Sequence, residues 1–330
     1  MKPVKLIAEI GSVHDGSFGN ATKLIEAAAS CGADAVKFQT HIAAAETLRE
    51  APNPPFFNGE PRFEYFLRTG FSLLQWKDLA NICEKNGVEF LSSPFSLEAV
   101  DLLEEVGVGS YKIASGEVTN IPLLRKIAVT GKPVLLSSGM SDWGELDLAV
   151  TALRDGGPVT VLQCSSAYPC PPEQVGLNVM TEMRERYGLD VGFSDHTLGI
   201  TAAIAAAILG AAVVEKHFTF SRAMYGSDAA NGTEPSEFRQ LADALATVSI
   251  LLTHRVNKSD TSSYRDMKQI FEKSVVAARN LPADHVLTED DLAYKKPGNG
   301  IPAFRYQELV GRRLKHAVSG DHQFVPDDLS

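Results

Sequence analysis

Two histidines and two lysines stand at matching places in the chain and set the chemistry it can support. His196 and His217 each end a short apolar run, DVGFSDH and AAVVEKH. Neutral imidazoles so placed suit a divalent metal such as Mn²⁺, Zn²⁺ or Fe²⁺. Two protein ligands leave coordination positions open, as Lewis-acid chemistry on a carbonyl requires. Lys37 (ADAVKFQT) and Lys112 (SYKIASG) are compact point charges that suit a small dianion such as a phosphate ester. A strand-borne lysine with a depressed pKa can also form a Schiff base, so a lysine-dependent aldolase is the competing chemistry.

The elements that must position these groups repeat from Lys5 to about Ile250. A β-rich apolar run, a polar turn and a helix-period stretch recur eight times. The strands are KLIAEIG, ADAVKFQT, VEFLSSPF, SYKIASG, PVLLSSG, VTVLQCS, DVGFSD and AAVVEKHFT, with helical stretches such as LEAVDLLEEV and PLLRKIAV between them. Eight such units in roughly 250 residues fit a (β/α)8 TIM barrel. An open doubly wound sheet fits less well, because no glycine-rich dinucleotide turn follows the first strand. In a barrel the C-terminal strand ends converge on one mouth, and here nearly all are polar. Glu9 ends the first strand. Lys37 and Gln39 follow on the second, and Ser93 on the third. Lys112, Ser115 and Glu117 come from the fourth, Ser137 from the fifth, and Ser166 and Tyr168 from the sixth. Ser194 and His196 end the seventh, and Glu215 and His217 the eighth. Alternation puts Lys37 with Gln39, Ser194 with His196, and Glu215 with His217 on shared faces. A single serine at a strand end often only caps a turn; a whole ring of such ends asks for a ligand.

The chain divides into 1–253 (barrel), 254–270 (polar linker) and 271–330 (small tail domain). The tail holds an internal echo, ADHVLTEDDL at 283–292 and GDHQFVPDDL at 320–329, which suggests two related strand–turn units. His254, His285, His316 and His322 read as ordinary surface residues. With 330 residues, 44% hydrophobic and 22% charged, the composition is that of a globular protein. A net charge of −10 leaves no basic stripe for nucleic acid or an acidic membrane. Four cysteines without CxxC spacing, and an N-terminus (MKPVKLIAEIGS) lacking a long apolar core, lead to the expectation of a cytoplasmic protein with reduced thiols.

Nine stretches in order (IAEIGSVHDG, VKFQTH, FLSSPFS, YKIASGE, LLSSGM, LQCSSAYPCPPE, GFSDHTLG, EKHFT and KKPGNG) resemble the N-acetylneuraminate (sialic acid) synthase family, with its legionaminate, pseudaminate and spore-coat polysaccharide branches. The resemblance implies a TIM barrel followed by a small C-terminal antifreeze-like (SAF) domain, in a domain-swapped homodimer. It implies a metal-dependent condensation of phosphoenolpyruvate with the open-chain aldehyde of an N-acyl-hexosamine, releasing phosphate and a nine-carbon 2-keto sugar acid. His196 and His217 would then hold Mn²⁺ or Mg²⁺, and Glu9 would handle the proton of the added water. Lys37, Ser93 and Lys112 match positions around the phosphoenolpyruvate carboxylate. Ser115, Ser137, Ser166 and Ser194 match its phosphate shell. Gln39, Glu117, Tyr168 and Asp228 match sugar-facing positions.

The chain departs from the family pattern in four places. Val13 stands where an asparagine is usual, Ser166 where some members have asparagine, and YGSD where PGPD is frequent. Lys296 stands where many members carry an arginine that reaches the sugar's N-acyl group across the dimer. Lysine lacks the planar fork. A legionaminate-, pseudaminate- or KDN-type acceptor therefore stands beside N-acetylmannosamine.

Overall fold

A computed structural model describes residues 4–53, 60–226 and 228–330. The chain splits into two compact units at His254/Arg255. In the first, eight parallel strands close into a barrel: β1 (Lys5–Gly11), β2 (Ala35–Thr40), β3 (Glu89–Pro94), β4 (Tyr111–Ile113), β5 (Val134–Ser137), β6 (Val159–Cys164), β7 (Asp190–Asp195) and β8 (Val213–His217). This is the TIM-barrel fold expected from the repeat.

Helices follow the strands because their apolar positions recur at helical spacing and their first turns are capped. Ser17 accepts from Asn20 N, Ser96 from Ala99 N, and Asp142 forms a capping box with Glu145. Such caps satisfy amide groups the helix cannot pair internally. Two short helices between β2 and β3, Ala43–Glu46 and Arg62–Thr69, are absent from the sequence reading.

The barrel interior is layered by strand alternation. Ile7, Ala35, Leu91, Leu135, Leu162 and Val213 form an apolar floor. Two residues further along the same faces come Glu9, Lys37, Ser93, Ser137, Cys164, Ser194 and Glu215. One glycine makes the floor possible. A Cβ at Gly192 would stand 2.5 Å from Leu162 Cδ2 and 2.6 Å from the Val213 carbonyl. The floor closes the barrel from below, so the polar layer opens only toward the C-terminal mouth.

The second unit, Arg255–Ser330, has its own core, with Val275, Leu281, Leu314 and Phe324 fully or almost fully buried. Its strands β9 (Ser274–Ala277) and β10 (Leu292–Lys295) pair antiparallel. Residues Arg265–Phe271, spanning the end of the stretch read as linker and the first residue of the tail, form a short helix. The sequence echo has a structural counterpart. His285 Nε2 lies 2.8 Å from Asp291 Oδ2, and His322 Nε2 lies 2.8 Å from Asp328 Oδ2, six residues on in each case. Asp284 and Asp321, preceding each histidine, both have positive φ (63° and 68°). His285 and His322 are thus half-buried partners of buried aspartates rather than ordinary surface residues, while His316 is exposed and also reaches Asp328.

Asp291 also accepts from Arg279 at 2.7 Å and from Thr288 N and Oγ1 at 3.0 and 2.8 Å. Burial pushes its carboxyl up, but these bonds hold it well below the ordinary range. Asp291→Ala strands those donors and is expected to cost about 2–3 kcal/mol, read as faster amide exchange across 272–330. Unchanged exchange would refute the role. No helix among the described residues is long and apolar enough to cross a membrane.

Candidate active site

One cavity opens at the C-terminal mouth. Residues singled out from the sequence line it: Glu9, Lys37, Gln39, Lys112, Ser115, Ser137, Ser166, Tyr168, Ser194, His196, Glu215, His217 and Asp228. Ser93 and Glu117 do not line it. Ser93 is fully buried, level with Gln39 in the β2–β3 register, and accepts from Lys37 Nζ at 3.4 Å. Glu117 sits in the single turn Ser115–Glu117 and accepts from Asn120 Nδ2 at 2.8 Å; burial pushes its carboxyl up. Lys296 belongs to the tail unit, its ammonium 5.0 Å from the centre of the Phe271 ring.

At the cavity base four charges interlock. Lys37 Nζ is 2.8 Å from Glu9 Oε2 and 3.6 Å from Glu215 Oε1. Lys112 Nζ donates to Glu215 Oε1 at 3.1 Å, and Ser194 Oγ donates to the same oxygen at 3.1 Å. Gln39 Nε2 holds Glu9 Oε1 at 2.8 Å. All four charged groups are at most 4% exposed.

Burial alone pulls both ammoniums down, and the outcome depends on partners. For Lys37 the carboxylates of Glu215 and Glu9 outweigh burial, and its pKa rises. Lys112 leans on Glu215 and is repelled by Lys37, so burial wins and its pKa falls. Burial pushes Glu215 up, but Lys112 and Lys37 pull it down to about 2. Glu215 is therefore the pivot of the cluster. Its period-two relation to His217 was the signal that marked it in the sequence.

Beside this cluster is a hydroxyl-lined hollow. A Cβ at Gly139 would stand 2.5 Å from Ser166 Oγ, 2.8 Å from Ser115 Oγ and 3.1 Å from Cys164 Sγ. The missing side chain keeps those hydroxyls open to the cavity. Ser137 Oγ is buried and makes no hydrogen bond among the described residues. Hydroxyls short of partners beside an ammonium are what an incoming phosphoryl group would satisfy.

The imidazoles stand on neighbouring strands with ring centres 5.4 Å apart. An ion ligated by both would lie roughly 3 Å from each ring centre, given metal–nitrogen bonds of about 2.1 Å, so one ion can be shared. Burial depresses the pKa of both, favouring the neutral ligand form. His196 Nδ1 lies 2.8 Å from the Ser165 carbonyl, which assigns the proton to Nδ1 and the lone pair to Nε2. Tyr168 Oη is 3.1 Å from that Nε2. His217 Nδ1 is buried without a hydrogen-bond partner among the described residues.

No group of three or more His, Cys, Asp or Glu among the described residues is arranged to hold a metal. The pair alone nevertheless fits a divalent cation with open positions. Charge supports this. Two ammoniums balance Glu9 and Glu215, leaving the base near neutral, so a multiply charged anion needs a further cation beside it.

Apart from His41, at the end of the second strand, the sequence reading missed the outer wall of the cavity. Arg62, Tyr65 and Phe66 come from the unforeseen second short helix, and His41, Phe95 and Met140 from loops after the strands. His41 is stacked between Phe66 and Phe95, with ring centres 3.7 and 4.2 Å away.

A model of the NeuB family matches residues 24–257, and one of the SAF domain matches residues 272–330. The chain is 38% identical over 321 residues to an N,N'-diacetyllegionaminic acid synthase of Campylobacter jejuni, covering 94% of this chain and 96% of that protein. It is 33% identical over 337 residues to the N-acetylneuraminate-9-phosphate synthase of Homo sapiens, covering 98% and 92%. Among solved structures it resembles N-acetylneuraminic acid (sialic acid) synthetase from Leptospira borgpetersenii, crystallised with citrate. There the TM-score is 0.71 at 28% identity, covering 81% of this chain and 91% of that one.

Proposed function

Because the chain belongs to the NeuB family, we propose that it is a nonulosonic acid synthase, condensing phosphoenolpyruvate with the open-chain aldehyde of an N-acyl-hexosamine to give a nine-carbon 2-keto sugar acid and phosphate. The observation that carries this reading is the pairing of Lys37 and Lys112 with Glu9 and Glu215 beside the hydroxyl hollow at Gly139. Lys37 and Lys112 take the carboxylate of phosphoenolpyruvate. Ser115, Ser137, Ser166 and Ser194 take its phosphoryl oxygens, and Ser93 steadies Lys37.

His196 and His217 would hold Mn²⁺ or Mg²⁺, which when bound supplies Lewis-acid polarisation of the acceptor carbonyl. Gln39, Tyr168 and Asp228 orient the acceptor so that its aldehyde carbon faces the enol carbon. The enol carbon forms the new C–C bond, the carbonyl oxygen takes a proton, and water adds at C2. Glu9, fixed by Gln39, accepts the water's proton. Cleavage of the C2–O bond then releases phosphate and leaves the 2-keto group.

The same reading carries a domain-swapped homodimer, with Lys296 of one copy serving the acceptor of the other, and a cytoplasmic location. Light scattering of the full chain tests the dimer.

The enzyme itself is tested by phosphate release from phosphoenolpyruvate with Mn²⁺ over a panel of hexosamines. Release is expected only when an aldehyde acceptor is present. A folded, Mn²⁺-loaded protein that releases none with any acceptor overturns the reading. Borohydride reduction with pyruvate is expected to leave Lys37 and Lys112 unlabelled; labelling would favour the Schiff-base aldolase instead.

A further inference from the structure

Behind the two imidazoles lies a buried ion pair that the proposed chemistry leaves unused. His196 and His217 line the cavity, so strand alternation turns the residues before them, Asp195 and Lys216, to the opposite face. Lys216 Nζ is 2.8 Å from Asp195 Oδ2, and the two side chains are 1% and 0% exposed. Neither residue lines the cavity.

The two histidines are not held alike. His217 pairs with Glu9 in the β1–β8 register, and its carbonyl accepts from Thr233 N and Oγ1. The β7–β8 register ends at Asp195 and Lys216, so His196 stands one residue beyond it. There a side chain takes over from the ladder. The Lys216 ammonium donates to Asp195 Oδ2 and, at 2.5 Å, to the Thr197 carbonyl. Asp195 Oδ1 accepts from Thr197 N at 2.8 Å. One cation rooted on β8 thus grips the chain on both sides of His196.

Stability does not account for such a pair. Taking two charges out of water offsets most of their attraction, and apolar replacements of buried pairs are often neutral or stabilising. What the charge-assisted bonds provide is geometry. Two ligands on different strands need it, because metal–ligand distances tolerate errors of only about 0.2 Å.

Resting on the metal role of His196 and His217 in the synthase reading above, we propose that Asp195 and Lys216 are positioning residues: they set the separation of the two imidazoles, and so the affinity of the site for a divalent cation. They act through the backbone of the 195–197 turn and touch neither metal nor substrate.

The test measures the Mn²⁺ dissociation constant of metal-stripped protein by electron paramagnetic resonance. The melting temperature without metal and the phosphoenolpyruvate KM at saturating Mn²⁺ are read beside it. Lys216→Met alone leaves a buried carboxylate unpaired, so the double variant Asp195→Asn/Lys216→Met carries the test. It removes both charges and keeps an acceptor for Thr197 N. Partners behind metal ligands typically contribute about tenfold to a hundredfold in affinity. The double variant is therefore expected to melt near the wild-type temperature and to bind Mn²⁺ at least about tenfold more weakly. Its phosphoenolpyruvate KM should be unchanged, and turnover lost at low Mn²⁺ should return as Mn²⁺ is raised. A folded double variant with wild-type Mn²⁺ affinity, or one that does not fold, overturns the inference and assigns the pair to the fold. Wild type that binds Mn²⁺ yet is inert with every acceptor overturns the synthase reading and leaves this inference standing. Wild type that binds no Mn²⁺ overturns the ligand pair, and this inference with it.

Discussion

His217→Ala is expected to abolish acceptor-dependent phosphate release and, on the same preparation, to remove Mn²⁺ binding seen by electron paramagnetic resonance. The strand around it should survive. Its carbonyl accepts from Thr233 N at 2.8 Å and Thr233 Oγ1 at 2.6 Å, and its Cα pairs with Glu9 in the β1–β8 register. Those bonds use the backbone and persist in alanine. What disappears is a neutral, buried imidazole whose Nδ1 has no hydrogen-bond partner among the described residues. Polarisation of a carbonyl by a bound cation contributes several kcal/mol to transition-state stabilisation, which corresponds to at least about a thousandfold in rate. Near-wild-type turnover, or undiminished Mn²⁺ affinity, would remove His217 from the proposed ligand pair.

Much of this site could be read from strand alternation, because in a barrel a two-residue period converts directly into inward and outward faces. Glu9, Lys37, Ser194 and His217 needed only the right strand and the right parity. The same rule marks Glu215, two residues before His217. Only three-dimensional distances, 3.1 Å to Lys112 and 3.6 Å to Lys37, identify it as the shared partner of both cations.

Parity also misleads where depth matters. Ser93 points inward, yet it is fully buried against Lys37 and does not line the cavity. Most of the outer wall was not legible, since Arg62 and Phe66 reach the mouth through a short helix within a long β2–β3 connection. No local period places such a segment. In the tail, the echo was visible in the sequence, but the buried aspartates that give His285 and His322 their role depend on turn geometry at Asp284 and Asp321.

The larger stability effect is expected from Glu215→Gln, which keeps the side chain's shape and removes its charge. Lys112 then loses its closest counter-ion and Lys37 one of two. Removing one partner of a buried pair typically costs about 3–5 kcal/mol, because an uncompensated charge is left inside; the groups here are at most 5% exposed. In the wild type, the Glu215 pKa of about 2 lies below its ordinary 4.5. The stabilisation is therefore fully present above that ordinary value and lost as pH falls from it toward about 2. Glu215→Gln should flatten that part of the acid-unfolding curve.

Function should fail at the other end of the pH scale. Burial already lowers Lys112 with Glu215 beside it, and without the carboxylate it loses its proton at still lower pH. A neutral amine holds an anion poorly. The KM for phosphoenolpyruvate should thus begin to climb at a lower pH in the variant than in the wild type, while the acceptor KM moves little. A variant that is destabilised but keeps the wild-type pH dependence of phosphoenolpyruvate binding would show that Glu215 serves folding alone, and that something else keeps Lys112 charged.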